Sequence, residues 1–201
     1  MTDAAEAHEP PPGDPEYAYK PSVMGSACAF RAAPDEFHWE VGRHGGEVPY
    51  SDIRAIRLSF RPITLANYRF IAEIWVKGLP KLTVASTSWR SMVEQQRRDA
   101  DYTAFLRTLH ERIRATGSTP QLLVGLSPYL YWPGIVAMIG MFVAMVVLIW
   151  RTVSAGVGGA AAFGFVFMAL LAWQLGTFFY RNRPGYYRAD ALPPQVLPLD
   201  S

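Results

Sequence analysis

Apolar and polar positions alternate with different periods in successive parts of the 201-residue chain. Residues 1–21, MTDAAEAHEPPPGDPEYAYKP, hold five acids and five prolines and offer little to bury beyond Tyr17 and Tyr19. Such a segment cannot offset the entropy lost on ordering, so it is expected to be a disordered tail. From Ser22 to about Ser88 the period becomes two. Met24 to Arg31 reads as a strand. Phe37, Trp39 and Val41 then alternate with His38 and Glu40 before a turn at Gly42-Arg43-His44-Gly45-Gly46. Ile56, Leu58 and Phe60 alternate with Arg57, Ser59 and Arg61 until Pro62. Tyr68, Phe70, Ala72, Ile74 and Val76 form one face of a long strand whose other face carries Arg69, Ile71, Glu73, Trp75 and Lys77. Leu82 to Ser86 supplies another strand after the turn at Gly78-Leu79-Pro80. Alternation punctuated by turn residues predicts an antiparallel meander with one buried face.

The period then lengthens. Tyr102, Phe105, Leu106, Leu109 and Ile113 recur at helical spacing, with Asp99 or Asp101 as a suitable N-cap and Gly117 as terminator. Arg107, Glu111, Arg112 and Arg114 fill the rest of the surface, so the helix is expected to lie across a sheet. Beyond a linker at 118–130, polarity almost disappears. Pro133 to Trp150 is eighteen residues without a charge, and Val157 to Tyr180 is twenty-four residues interrupted only by Gln174 and Thr177. About 20 helical residues cross a hydrocarbon core roughly 30 Å thick. Spans at about 131–150 and 157–180, joined by a short turn, predict a transmembrane hairpin. Residues 181–201 carry four prolines among Tyr186, Tyr187, Leu192, Val196 and Leu197, so this tail is expected to pack extended along a protein surface.

Charge sharpens this picture. Residues 1–50 have nine acids against Lys20, Arg31 and Arg43, a balance of −6; residues 51–98 have nine basic groups against Asp52, Glu73 and Glu94, a balance of +6. Arg112 and Arg114 precede the first span and Arg181, Arg183 and Arg188 follow the second, while the turn offers only Arg151. Positively charged flanks stay inside, which predicts cytoplasmic termini. The N-terminus is acidic and lacks the apolar run of a secretory signal. Small residues at Gly156, Ala160, Gly164, Ala172 and Gly176 recur at intervals of four, interrupted by Met168, and Ala137, Gly140 and Ala144 share a face of the first span. Of these, Gly140, Ala144, Gly156, Ala160 and Gly164 are the expected helix-packing positions.

Catalytic motifs are not found. His8, His38, His44 and His110 show no metal-ligand spacing, Cys28 has no CxxC partner, and no GxSxG occurs. The glycine-rich turn lacks the lysine and the strand-to-helix setting of a phosphate loop. No ionisable residue enters either span, which argues against a transporter. Neither an enzyme, a cofactor, a metal nor a nucleic-acid partner is expected. Phe60, Tyr68 and Phe70 belong to the apolar face and are not available for stacking bases.

Five or six antiparallel strands followed by an amphipathic helix is the order of a pleckstrin-homology-like (PH-like) split barrel, although a lipocalin-type or other small barrel is compatible with it. The segment Val48-Pro-Tyr-Ser-Asp-Ile-Arg-Ala-Ile-Arg-Leu resembles the stretch of bacterial PH-like domains that enters a central strand. Residues 22–180 resemble small bacterial membrane proteins that join such a domain to a two-helix membrane segment, and the tail NRPGYYRADALPPQVLP is similar to theirs. The resemblance implies a membrane-anchored α+β fold. Residues 22–117 would form a PH-like barrel closed by its helix, and 131–180 the hairpin in a bacterial inner membrane. It implies no activity. The expected role is presentation of the module to a protein partner or anionic membrane lipid through Arg57, Arg61 and Arg69. The alternative is an accessory subunit, or a homo-oligomer, assembled through the hairpin.

Overall fold

A computed structural model describes residues 16–62, 68–91 and 94–198. Four antiparallel strands, β1 (Glu16–Tyr19), β2 (Cys28–Ala32), β3 (Glu36–Val41) and β4 (His44–Pro49), pair in chain order to make one sheet. A second sheet is built on β5 (Ile53–Pro62), β6 (Tyr68–Val76) and β7 (Leu82–Ala85). A small hairpin, β8 (Thr87–Trp89) with β9 (Gln95–Arg97), leads into α1 (Asp99–Ala115). The chain then returns to the second sheet as β10 (Gln121–Val124), makes two long helices, α2 (Pro128–Ser154) and α3 (Gly158–Arg181), and adds β11 (Gly185–Tyr186). The second sheet runs β11-β10-β5-β6-β7, with β10 parallel to β5 and its other pairs antiparallel.

The expected alternation is what fills the core. Ile56, Leu58 and Phe60 on β5 and Phe70, Ala72 and Ile74 on β6 are buried in one cluster with Phe30 and Phe37 of the first sheet. The apolar stripe of α1, Tyr102, Phe105, Leu106, Leu109 and Ile113, closes it. Full burial of such a side chain contributes about 1.5–3 kcal/mol. Gly117 follows the helix as anticipated. Its first residues differ from expectation, because the cap position is Arg98 and Asp99 already lies inside the helix, paired with Arg97.

Four expectations need correction. Glu16–Tyr19 belong to a strand, although their composition assigns them to the tail; the rest of that tail, 1–15, lies outside the described residues. Tyr17 and Tyr19 are the reason. Their rings are buried, and their hydroxyls donate to the carbonyls of Ala85 (2.6 Å) and Thr83 (2.5 Å). Both acceptors lie on β7, the edge of the second sheet, so the first strand of one sheet seals the edge of the other. The turn before β4 is shorter than its glycines predict, since His44 to Pro49 are already paired with β3. The linker at 118–130 contains β10, which breaks the purely antiparallel pattern. Finally, the hairpin does not pack on the stripe of small residues.

Both α2 and α3 are long and apolar enough to cross a membrane, and none of either hydrophobic window is buried inside the fold. Where they meet, Tyr131, Gly134, Ile135, Met138, Met141, Phe142, Met145, Ile149 and Thr152 on α2 are half-buried. On α3 the covered positions are Ala161, Gly164, Met168, Leu171, Gln174, Leu175, Phe178 and Phe179. Within each set one line, through Tyr131, Ile135, Met138, Phe142, Met145, Ile149 and Thr152 on α2 and Ala161, Gly164, Met168, Leu171, Leu175 and Phe178 on α3, advances by alternating steps of three and four, the 3.5-residue repeat of a left-handed supercoil. A stripe repeating every four residues drifts about 40° per step from a helical face, so it leaves that seam. Gly164 alone among the expected positions lies in it, facing Ile149; Gly140, Ala144 and Ala160 are exposed on the outside of the pair. Gly156 serves the turn. With φ at +75° it ends α2, where Val157 N–H reaches the Thr152 carbonyl.

Candidate functional site

The features that position a functional surface meet where the sheet joins the two long helices. β10 runs in the same direction as β5, with Val124 opposite Leu58, and enters α2 four residues later. The C-terminal end of β5 and the N-terminal end of β6 therefore lie at the end of the domain nearest the helices. Past Val124 the ladder is continued by other groups. Gly125 N–H donates to the Leu58 carbonyl at 2.8 Å. Phe60 N–H donates to Oδ1 of Asn182 at 3.0 Å, and Asn182 Nδ2 donates back to the Phe60 carbonyl at 2.7 Å. Asn182, just after the end of α3, is 0% exposed, and its own carbonyl accepts from Leu126 N–H at 3.0 Å. Arg181 lays its guanidinium 4.3 Å over the Phe60 ring and donates from Nε to the Gln195 carbonyl. Four segments, β5, the start of α2, the end of α3 and the tail, are thereby tied at one point.

The second face of β5 and β6 carries the candidate contacts, and it is not the solvated face that strict alternation predicts, since Ser59, Ile71 and Glu73 on it are buried as well. Arg57 stands opposite Glu73 in the register and lies 5.3 Å from the Trp75 ring. Arg61 stands opposite Arg69. Glu73 is only 6% exposed and serves two cations, Lys81 Nζ at 2.6 Å and Arg61 at 3.6 Å from the same oxygen. Arg69 has no ion-pair partner among the described residues, and its Nε is buried without a hydrogen bond there. Burial, and after it the repulsion of Arg61, lowers the Arg69 pKa. Around the single buried carboxylate the face thus gathers Arg57, Arg61, Arg69 and Lys81. The three arginines named from the sequence do share this face, but unequally. Arg61 and Arg69 sit at its helix-proximal end, while Arg57, four residues back at about 3.3 Å per residue, lies farther away.

No family model, curated protein or solved structure matches this chain.

Three other clusters are more easily accounted for. Glu16, Arg31, His38 and Glu47 stand in register across all four strands of the first sheet. His38 Nδ1 is 2.9 Å from Glu47, and the Arg31 guanidinium lies 3.3 Å from the same ring. Glu36, His38 and Glu47 bring their ligand atoms within 4.8 Å of one another, but Arg31 supplies a cation there already. The row is a cross-strand charge ladder. Cys28 is buried and burial raises its thiol pKa, the opposite of what a nucleophile needs. His110, 1% exposed, joins α1 to the tail: Nδ1 lies 2.7 Å from the Leu106 carbonyl and Nε2 lies 2.8 Å from the Tyr187 hydroxyl.

Sequence reasoning missed Asn182, Gly125 and the pair His110–Tyr187. Periodicity carries no signal for any of them, since each acts through one contact between segments far apart in the chain. The side chains of Gln174 and Thr177, the two polar interruptions of the second span, make no hydrogen bond among the described residues.

Proposed function

We propose that this chain is a non-enzymatic integral membrane protein of a bacterial inner membrane, with both termini cytoplasmic. In this reading its PH-like module meets the anionic headgroups of its own bilayer. The observation that carries it is the cross-strand pair Arg61–Arg69, unneutralised on one side and set at the helix-proximal end of a sheet that Asn182 ties to α3. A juxtamembrane arginine near an anionic leaflet contributes about 1 kcal/mol. The arginines flanking the hairpin support the cytoplasmic orientation.

The test uses the full-length protein in nanodiscs of neutral lipid mixed with phosphatidylglycerol, with retained lipids identified by native mass spectrometry. The wild type enriches the anionic lipid. Arg61→Ala/Arg69→Ala loses that enrichment, and an unchanged lipid profile overturns the reading.

A second reading, assembly with another membrane protein or another copy through the hairpin, draws on the outward-facing small residues. A Cβ at Gly140, Gly158, Gly159 or Gly176 would meet nothing within 4 Å among the described residues. Gly140→Leu then abolishes co-purification of a partner or a second copy, while leaving the lipid profile of the domain intact.

A further inference from the structure

We infer that Arg61 and Arg69 together clasp a single phosphomonoester group. The inference rests on the headgroup reading above and narrows it from a diffuse basic surface to one discrete site.

Like charges directly opposite on neighbouring strands destabilise a sheet unless something neutralises them. Arg61 and Arg69 are so placed, and what the chain itself supplies is lopsided. Arg61 lies 3.6 Å from the same Glu73 oxygen that Lys81 already holds at 2.6 Å. Arg69 holds no acid among the described residues, and the connection between the two strands, Ile-Thr-Leu-Ala-Asn at 63–67, contains no carboxylate by sequence. The Arg69 Nε–H is a buried donor without an acceptor among the described residues. Buried donors are nearly always satisfied, so an orphan of this kind marks the place of an absent acceptor.

The chemistry of that acceptor follows from the donors. Guanidinium groups present forked N–H donors that match the oxygens of phosphate in bidentate fashion. Two such forks facing one another need more than one acceptor edge and close to two negative charges. A phosphodiester offers two free oxygens and one charge. A phosphomonoester offers three oxygens and a charge of about −1.5 to −2 near neutral pH. It therefore neutralises both arginines at once and leaves Glu73 with Lys81. Such a group occurs both on lipid headgroups and as free phosphate.

The experiment keeps the full-length protein in nanodiscs. One set contains phosphatidylcholine with phosphatidic acid, a second phosphatidylcholine with phosphatidylglycerol, and a third phosphatidylcholine alone with inorganic phosphate titrated calorimetrically. Wild type enriches phosphatidic acid over phosphatidylglycerol. Arg69→Lys, which keeps the charge and loses the fork, reduces that enrichment by about tenfold, the equivalent of one lost charge-assisted hydrogen bond. In the wild type the preference also falls between pH 7.5 and 5, where a monoester loses its second charge and a diester does not. Saturable binding of inorganic phosphate that Arg69→Lys weakens, without enrichment of phosphatidic acid, assigns the clasp to soluble phosphate. The clasp is overturned if phosphatidylglycerol is held as well as phosphatidic acid in the wild type, or if Arg69→Lys keeps the full preference. In that event, loss of all anionic enrichment in Arg61→Ala/Arg69→Ala still upholds the headgroup reading. No change in that double variant sinks both.

Discussion

Asn182 treats Phe60 as a neighbouring strand would. Its amide accepts the Phe60 N–H at 3.0 Å and donates to the Phe60 carbonyl at 2.7 Å, replacing both bonds that β10 makes to β5 up to Leu58 and then leaves off. One side chain beyond the end of α3 thus completes a sheet. Removing it as Asn182→Ala strands two backbone groups in a buried place, at about 2–4 kcal/mol. Asn182→Asp keeps the acceptor but loses the donor and sets a carboxylate oxygen against the Phe60 carbonyl in a buried place, so it destabilises as well. Amide exchange at Phe60, followed by mass spectrometry in detergent, is expected to speed up in both variants.

Gly125 is required one step earlier in the same junction. Its φ is +78°, which L side chains rarely adopt, and an added Cβ would press into the carbonyl oxygens of Asn182 and Arg183. Those oxygens are backbone, so they can retreat only by moving α3 away from β5. Gly125→Ala is therefore expected to lower stability by more than the ~1 kcal/mol of backbone conformation alone. It should do so with the same accelerated exchange at Phe60 as Asn182→Ala. Normal exchange at Phe60 in a Gly125→Ala protein would separate the two contacts.

How much of this was legible follows from what each element depends on. The strands carrying Ile56, Leu58 and Phe60 or Phe70, Ala72 and Ile74 are written in strict alternation, and the stripe of α1 in helical spacing; these signals are local. The two long helices are plainer still, as their apolar runs exceed a bilayer's thickness. By contrast, Tyr17 and Tyr19 lie in a proline-rich acidic stretch whose composition argues for disorder, and their burial is decided by carbonyls of β7 over sixty residues away. β10 is four residues long and acquires its strand character from β5. At the candidate site, alternation put Arg57, Arg61 and Arg69 on polar faces. Only the register sets Arg61 against Arg69 and gives Arg57 the company of Glu73 and Trp75.

The hairpin seam makes a prediction that composition alone would reverse. Gly164 faces Ile149, with an added Cβ only 3.2 Å from that side chain, whereas a Cβ at Gly140 meets nothing within 4 Å among the described residues. Overpacking a closely fitted contact costs about 1–3 kcal/mol. Gly164→Leu is expected to lower the thermal midpoint in detergent and to abolish an engineered disulfide across the seam at Met145 and Met168. Gly140→Leu leaves both unchanged. Equal effects from the two would mean that the small-residue stripe, and not the 3.5-residue seam, holds the helices.

Docking of the tail on α1 is expected to depend on pH through His110. The Leu106 carbonyl can only accept, so Nδ1 carries the proton and Nε2 accepts from the Tyr187 hydroxyl; the ring is neutral as bonded. Burial lowers its pKa below the ordinary 6.5. Arg107, Glu111 and Arg114 of α1 and Asp190 of the tail line the same cavity as His110, and all four are exposed to solvent and screened; Arg112, two residues on, is half-buried. Between the lowered value and 6.5 the unfolded or undocked chain binds more protons than the docked one, so stability rises with pH in that window. It is complete above 6.5 and lost as pH falls through the folded-state value. Tryptic cleavage after Arg188 should accelerate as pH falls from 7.5 to 5.5, relative to a pH-matched exposed peptide. Tyr187→Phe, which removes the hydroxyl that Nε2 accepts from, should weaken docking already at pH 7.5. His110→Gln should flatten the pH dependence, because an amide spans the same two partners without titrating. A His110→Gln protein whose tail is still released by acid would shift the sensitivity to another group.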